Sequence, residues 1–364
     1  MSLTFIKAEP KIDFIGMRKI CYALSILFIL AGVASLLIKG GPLYGIDFAG
    51  GAVVQVKFNT AVSDEQVKNA LDGVDLPGLV IQQVGADTDN EYLIRMSETK
   101  STETLRDDLS KALAENLPQA KATIQRTEVV GPKVGADLRS QAIEALFYAS
   151  LLIAIYISGR FEHRWVVAGI MAVTLAGGLY LLGQLGMPRG WLVLAATTIT
   201  CLVCLRLKLS YALGAVVGLI HDIIITVGVL SLLNIEVDLI IIAAILTIIG
   251  YSLNDTIIVF DRIRENQRAK KYSSFAETIN RSINQTLSRT ILTSGTTAIV
   301  TVTLFFLGGS IIHNFALTLL VGIVAGTYSS IFVSSPILLI FGEPVEPKKK
   351  ESAVIVRDEH GAVV

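Results

Sequence analysis

Charged side chains are too scarce in this sequence to solvate the surface of a soluble protein. Asp, Glu, Lys and Arg make up 17% of the 364 residues, against 52% hydrophobic. The formal net charge is zero, so no global attraction to nucleic acid is expected. Cysteine is limited to Cys21, Cys201 and Cys204, each inside an apolar run, which excludes a disulfide framework. The lone Cys201-x-x-Cys204 pair has no further ligands nearby and reads as small apolar residues on one helix face. There is no Walker-type motif and no metal or nucleophile constellation. The chain is therefore expected not to be an enzyme and to need no cofactor or metal, with energy for any work supplied from elsewhere.

The apolar residues that replace this missing charge are clustered. Ile20–Ile38, Leu239–Phe260 and Phe315–Phe341 reach or approach the ~20 residues that a helix needs to cross ~30 Å of hydrocarbon. The first run is too long for a signal-peptide core and is followed by Lys39-Gly40-Gly41 rather than a small-x-small cleavage site, so it reads as an uncleaved anchor. Eight spans fit best, at about 18–38, 139–159, 165–185, 190–208, 211–233, 238–260, 290–308 and 315–341. Lys and Arg then gather on one side: Lys7, Lys11, Arg18 and Lys19; Arg160 and Arg164; Arg206 and Lys208; Arg262, Arg264, Arg268, Lys270 and Lys271; and Lys348 to Lys350. By the positive-inside rule both termini are cytoplasmic and the 39–138 insert lies outside.

That insert has its own pattern. Ala52–Phe58 alternates like a strand, and Ser63 to Leu71 opens with a Ser–Gln capping pattern. Leu79–Val84 and Tyr92–Met96 are short strands. Thr102–Leu117 is an amphipathic helix with Leu105, Leu109, Leu113 and Leu117 on one stripe, and Ala122–Val130 closes the set. The β-α-β-β-α-β order defines a ferredoxin-like split βαβ unit. The fold class expected is an all-α membrane bundle of about eight spans carrying a small α+β ferredoxin-like domain. The expected segments are a cytoplasmic N-terminus at 1–17, the domain at 39–138, a span pair at 165–208, four further spans over 211–341 with a cytoplasmic loop at 261–289, and a tail at 342–364. In that loop Phe275, Ile279, Ile283 and Leu287 form an apolar stripe behind a Ser274-x-x-Glu277 cap, expected to lie along the membrane surface against span ends or a partner. A basic turn entering a Gly/Ala-rich span occurs at Arg160 and again at Arg206, the mark of a copied or inserted span pair.

Ionisable groups inside spans cost at least ~2.5–3.5 kcal/mol on insertion scales, so each needs a reason. Asp255 is the clearest, with Thr247, Tyr251, Asn254 and Ile258 at helical spacing and Gly250 allowing close packing. A proton-titrating group facing the bundle interior is the functional reading; a structural hydrogen bond is the plain one. Asp222, beside His221, carries the same argument more weakly. Arg289 is either a snorkelling anchor or a counter-charge for a deeper acid. In Gly45-Ile-Asp47-Phe-Ala-Gly50-Gly51 the glycines suit a tight turn and Asp47 orients the junction. A phosphate site fits poorly because no helix is expected after them.

Several motifs in order closely resemble the SecF family of bacterial protein export. They are Gly45–Gly51, Val130–Leu138, Gly250-Tyr-Ser-Leu-Asn-Asp255 through Asn266, Gln285–Thr290 and Thr293–Thr297. The resemblance runs from about Arg18 to Ile340, with eight expected spans where the family has six. It implies pairing with SecD in a unit like the resistance-nodulation-division transporters, association with the SecY/SecE/SecG channel and with YajC and YidC, and action on translocating preproteins. It places the family's intramembrane acid on Asp255 within its Asn-Asp motif, its arginine on Arg289, and its His-Asp motif on His221-Asp222. Half of a proton-coupled small-molecule or lipid exporter, or a receptor-like protein with structural acids, stay open beside this reading.

Overall fold

The computed structural model describes residues 10–84, 90–97, 102–162, 165–184, 186 and 189–341. The expected N-terminal residues 1–9 and the tail 342–364 lie outside them. The first span is helix α1, Phe14–Ile38, opened by Asp13, whose carboxylate accepts the Gly16 N–H at 2.8 Å. A four-residue helix α2, Ile46–Ala49, then leads into the sheet domain.

Strand β1 (Gly51–Lys57), helix α3 (Asp64–Ala70), strands β2 (Val80–Val84) and β3 (Glu91–Met96), helix α4 (Thr102–Asn116) and strand β4 (Thr123–Val130) follow. Ser63 and Gln66 cap α3 reciprocally, each side chain taking the other's backbone N–H. The sheet runs β2-β3-β1-β4 with every neighbouring pair antiparallel. This is the split βαβ arrangement that the alternation of apolar residues predicts. Val54, Val56 and Ile94 of the sheet meet Val67, Leu105, Leu109 and Leu113 of the helices. Complete burial of a side chain such as Leu109 contributes roughly 2 kcal/mol.

The membrane bundle resumes with α5 (Pro132–Glu162), α6 (Trp165–Gln184), α7 (Arg189–Arg206), α8 (Ser210–Leu232), α9 (Leu239–Arg268), α10 (Phe275–Leu307) and α11 (Gly309–Ser329). After α11 the chain continues through a π-helical turn, Ser330–Ser334, a short helix at Ser335–Ile337 and a 3₁₀ turn at Leu338–Phe341. Ser335 donates to the Ser330 carbonyl five residues back, at 2.7 Å, within this widened turn.

Among the described residues seven helices are long and apolar enough to cross a membrane, where eight full spans were expected. The eighth, α7, is apolar but its 18 residues rise only about 27 Å, short of a typical hydrocarbon core. The loop helix also differs from expectation. The apolar stripe and the seventh span form one helix, α10, because residues 275–294 contain no Gly or Pro to end it. Its Ile279, Ile283 and Leu287 enter a core with Phe260, Ile263 and Ile331, the expected packing against span ends. Helix α5 begins at Pro132, ahead of the expected 139, since Pro at a helix start leaves no donor unsatisfied.

Helix α8 is the central post, with α1, α5, α9 and α11 around it. It runs parallel to α1 in a heptad-spaced seam. His221 meets Ser25, Gly228 meets Gly32, and Ser231 meets Ser35 at 2.8 Å. A Cβ on Gly32 would stand 2.7 Å from the Gly228 Cα, so only glycine allows this approach. Helices α6 and α7 lean on α5, and α6 leaves Trp165, Val166, Ile170 and Val173 exposed.

Candidate functional site

Two buried carboxylates stand in the bundle, one on α8 and one on α9. Asp255 is 1% exposed. Its Oδ2 accepts a hydrogen bond from Ser294 on α10 at 3.0 Å, and Ser294 in turn accepts from Thr327 on α11 at 2.8 Å. Its other oxygen, Oδ1, is buried with no partner. An unpartnered oxygen on a buried carboxyl is where a proton or an incoming donor would sit.

Asp222 is fully buried, and its Oδ2 accepts from Ser252 on α9 at 2.5 Å and from Ser329 on α11 at 2.9 Å. Its Oδ1 stands 2.9 Å from His221 Nδ1. The far side of that imidazole, Nε2, lies 3.1 Å from Ser25 Oγ on α1. Ser25 donates to Tyr328 Oη at 3.3 Å, and Tyr328 donates to the Cys21 carbonyl at 2.6 Å. The Tyr328 ring also stacks on His221, with centroids 6.0 Å apart. The consecutive residues Thr327, Tyr328 and Ser329 thus serve the Asp255 set, the His221 set and Asp222 respectively, immediately before the π turn.

Arg289 lies on α10, close enough to act electrostatically on Asp255, but it is exposed and no ion pair joins the two among the described residues. Asn254 is exposed as well, one residue and therefore about 100° around the helix from Asp255. Of the expected polar stripe, Thr247 and Asn254 turn outward and half-buried Tyr251 donates to Thr297 on α10 at 3.2 Å, while the buried companions of Asp255 on its own helix are Ser252 and Thr256. Gly250, expected to permit close packing, has nothing within 4 Å of where a Cβ would stand, because it lies on the same open side.

The glycine junction is built against the outer ends of α8 and α9. Leu43 and Gly45 exchange backbone hydrogen bonds with Val237 at 2.7 and 2.9 Å, and Asp47 accepts the Leu239 N–H at 3.0 Å. A short helix, α2, occupies Ile46–Ala49 between the glycines. Gly50 and Gly51 have φ of 77° and 118°. A Cβ on Gly51 would stand 2.4 Å from the Met96 carbonyl oxygen. Beside it Arg95 of β3 pairs with Glu236. Asp238, which caps α9 by accepting from Ile241 at 2.7 Å, is held above the usual carboxylate range by burial. Burial likewise pushes the Arg95 guanidinium down, opposed by the nearby Asp238 charge.

Sequence reasoning found both acids, His221 and Asp47. It missed Ser25, Ser252, Ser294, Thr327, Tyr328 and Ser329, whose hydroxyls complete the two sets. Thr327, Tyr328 and Ser329 open the hydroxyl-rich stretch Thr327–Ser335, and Ser252 and Ser294 lie inside the motifs at 250–266 and 293–297; Ser25 has no such local signal.

A multi-pass helical bundle with internal carboxylates and a split βαβ domain inserted after its first span defines a class of membrane transport proteins. Family comparison makes the assignment narrower. The model for "Protein export membrane protein SecD/SecF, C-terminal" matches residues 109–187 and 184–344, two stretches whose seam falls between α6 and α7, and the SecD/SecF GG motif matches 36–62. The chain belongs to the SecD/SecF family of protein export membrane proteins. It is 39% identical to a protein translocase subunit SecF of Desulfurispirillum indicum over 92% of this chain and 94% of that one. With the SecF of Vibrio alginolyticus it shares 37% identity over 93% and 92% of the two chains. The crystal structure of SecDF, a translocon-associated membrane protein from Thermus thermophilus, superposes with a TM-score of 0.68 at 32% identity. That match covers 92% of this chain and 39% of the longer SecDF chain. SecDF in a super-membrane-facing form gives a TM-score of 0.53, with 91% of this chain and 38% of that one covered.

Proposed function

We propose that this chain is the SecF half of a SecD–SecF unit that uses the proton-motive force to promote preprotein movement through the SecY/SecE/SecG channel, with YajC and YidC as further partners. In this reading it sits in a bacterial inner membrane with both termini cytoplasmic and the sheet domain in the periplasm. It is a translocase accessory subunit driven by protons. The observation that carries the reading is Asp255: a carboxyl 1% exposed in the middle of an apolar helix, with one oxygen held by Ser294 and the other free. Moving one charge through the membrane potential yields about 2.3 kcal/mol per 100 mV, enough to bias two packings that differ in whether this carboxyl is protonated.

Asp255, Arg289 and Asp222 are the proton-coupling side chains of this proposal, and Asn254 belongs to the outer face beside them. That face, with Arg289, Asn254, Thr247 and bare Gly250 open on α9 and α10, suits a protein neighbour better than lipid. SecD is the neighbour proposed to cover it. The names of the relatives favour export over small-molecule efflux.

The test is complementation of cells lacking their own SecF. Asp255→Asn, at wild-type protein level, should lose the export that depends on the proton-motive force while still co-purifying with SecD. Equal export by the variant and the wild type would end the proposal.

A further inference from the structure

The hydrogen bonds around His221 count protons. A carbonyl oxygen can only accept, so the bond at 2.6 Å between Tyr328 and the Cys21 carbonyl uses the single phenolic proton. The bond between Ser25 and Tyr328 must then use the Ser25 proton, in the direction Ser25 to Tyr328. With that proton committed, the 3.1 Å contact between Ser25 Oγ and His221 requires Nε2 to be the donor. One proton must still lie between Nδ1 and Asp222 Oδ1, which are 2.9 Å apart, because two bare acceptors would repel there. The pair is either imidazolium with carboxylate or neutral imidazole with carboxylic acid. Both carry zero net charge and one more proton than a neutral imidazole beside a carboxylate.

We propose that His221 and Asp222 form a second proton-binding site, separate from Asp255, whose proton fastens the first span to the centre of the bundle. The polar and titratable groups facing it are few. On α1 there are Ser25 and the Cys21 carbonyl, and on α11 there are Tyr328 and Ser329. On α9 there is Ser252, with Asp255 one turn further along. No lysine or arginine is hydrogen-bonded to the pair among the described residues. With one proton taken up from the aqueous phase, the chain from Cys21 through Tyr328, Ser25 and His221 to Asp222 is complete. With that proton gone, the pair carries charge −1 with too few donors, and one link between α1 and α8 or α11 must open. The site stands on geometry alone, and only its use in an export cycle rests on the function proposed above.

The test uses the full chain, co-expressed with SecD and held in lipid bilayers. Substituting His163→Gln, His313→Gln and His360→Gln leaves His221 as the only histidine for ¹⁵N-labelled solid-state NMR. The result expected at neutral pH is a protonated Nε2, with either Nδ1 also protonated or a neutral acid on Asp222 in the infrared spectrum. A bare Nε2, or a bare Nδ1 beside an ionised Asp222, overturns the proposal.

A second measurement covers a triple variant that fails to fold. Ser35→Cys and Ser231→Cys, with the three native cysteines replaced, report on the α1–α8 seam by disulfide yield. Relative to Asp222→Asn at the same pH, whose amide supplies the missing donor throughout, that yield should fall several-fold from acidic to alkaline pH, the comparison cancelling the common effect of pH on the thiols. The same pH dependence with and without Asp222→Asn overturns the proposal. Neither readout measures export, so failure here leaves the Asp255 reading intact, and the converse also holds.

Discussion

Single residues in this protein do unequal work according to what surrounds them. Two neighbours on α9, Asn254 and Asp255, differ by one step of the helix, yet one is open and the other sealed. At the domain junction Gly51 has a backbone conformation that L side chains rarely adopt, and the Met96 carbonyl stands where its Cβ would go. Gly51→Ala should therefore destabilise the full-length protein by roughly 1–3 kcal/mol. A thermal unfolding curve in detergent, monitored from the sheet domain, checks this, and an unchanged midpoint would contradict the strain argument. Asp255 was legible in the sequence because a lone acid in an apolar run has no ordinary reason to be there. Ser25, Ser252 and Ser329 were not, since serines are common in membrane helices and only tertiary packing chooses their partners. Asp47 was legible as a junction residue, but its partner was not, since its carboxylate caps a helix 192 positions further along the chain.

At the scale of elements, α1 and α8 form a parallel pair held by contacts of matching spacing: Ser25 with His221, Gly32 with Gly228, Ser35 with Ser231. The glycine pair sets the distance, and the polar pairs on either side depend on it. Gly228→Val would place branched carbon against the Gly32 Cα, where even a Cβ stands 2.9 Å away. That variant should lose most of the disulfide yield between cysteines at 35 and 231 and lower the stability of the bundle. Full cross-linking would show that the seam tolerates a wider separation. Spans and strands were readable because burial imposes a period on the sequence, 3.6 for a helix and 2 for a strand. Where an element ends was harder to read. The junction between the loop stripe and the seventh span carries no breaker, so the two became one 33-residue helix, α10.

For the whole molecule, the question is how a sheet domain outside the bundle is tied to carboxyls within it. The tie is the outer end of α9. Asp47 and Asp238 cap its first turn, Arg95 from the sheet pairs with Glu236 just before it, and Asp255 lies further along the same rigid helix. A tilt of α9 is therefore passed to the domain without a flexible linker between. Arg95→Glu sets two like charges against each other and should free this contact. Faster hydrogen exchange over residues 234–238 in the variant, with the bundle unchanged, is the expected result. Identical exchange would show that the backbone pairing at Val237 suffices alone. None of this docking was legible in sequence, since it joins segments whose separation along the chain carries no pattern.

The π turn at Ser330–Ser334 gives the three residues before it an unusual property. A helix with one surplus residue in a turn is out of phase with itself on the two sides of that turn. If the surplus moved by one position, each side chain it passed would swing about 100° around the axis while the rest of the helix stayed still. Thr327, Tyr328 and Ser329 stand at that boundary, each attached to a different buried group. A slip of a single residue is the smallest displacement this molecule could use to reassign three hydrogen bonds together.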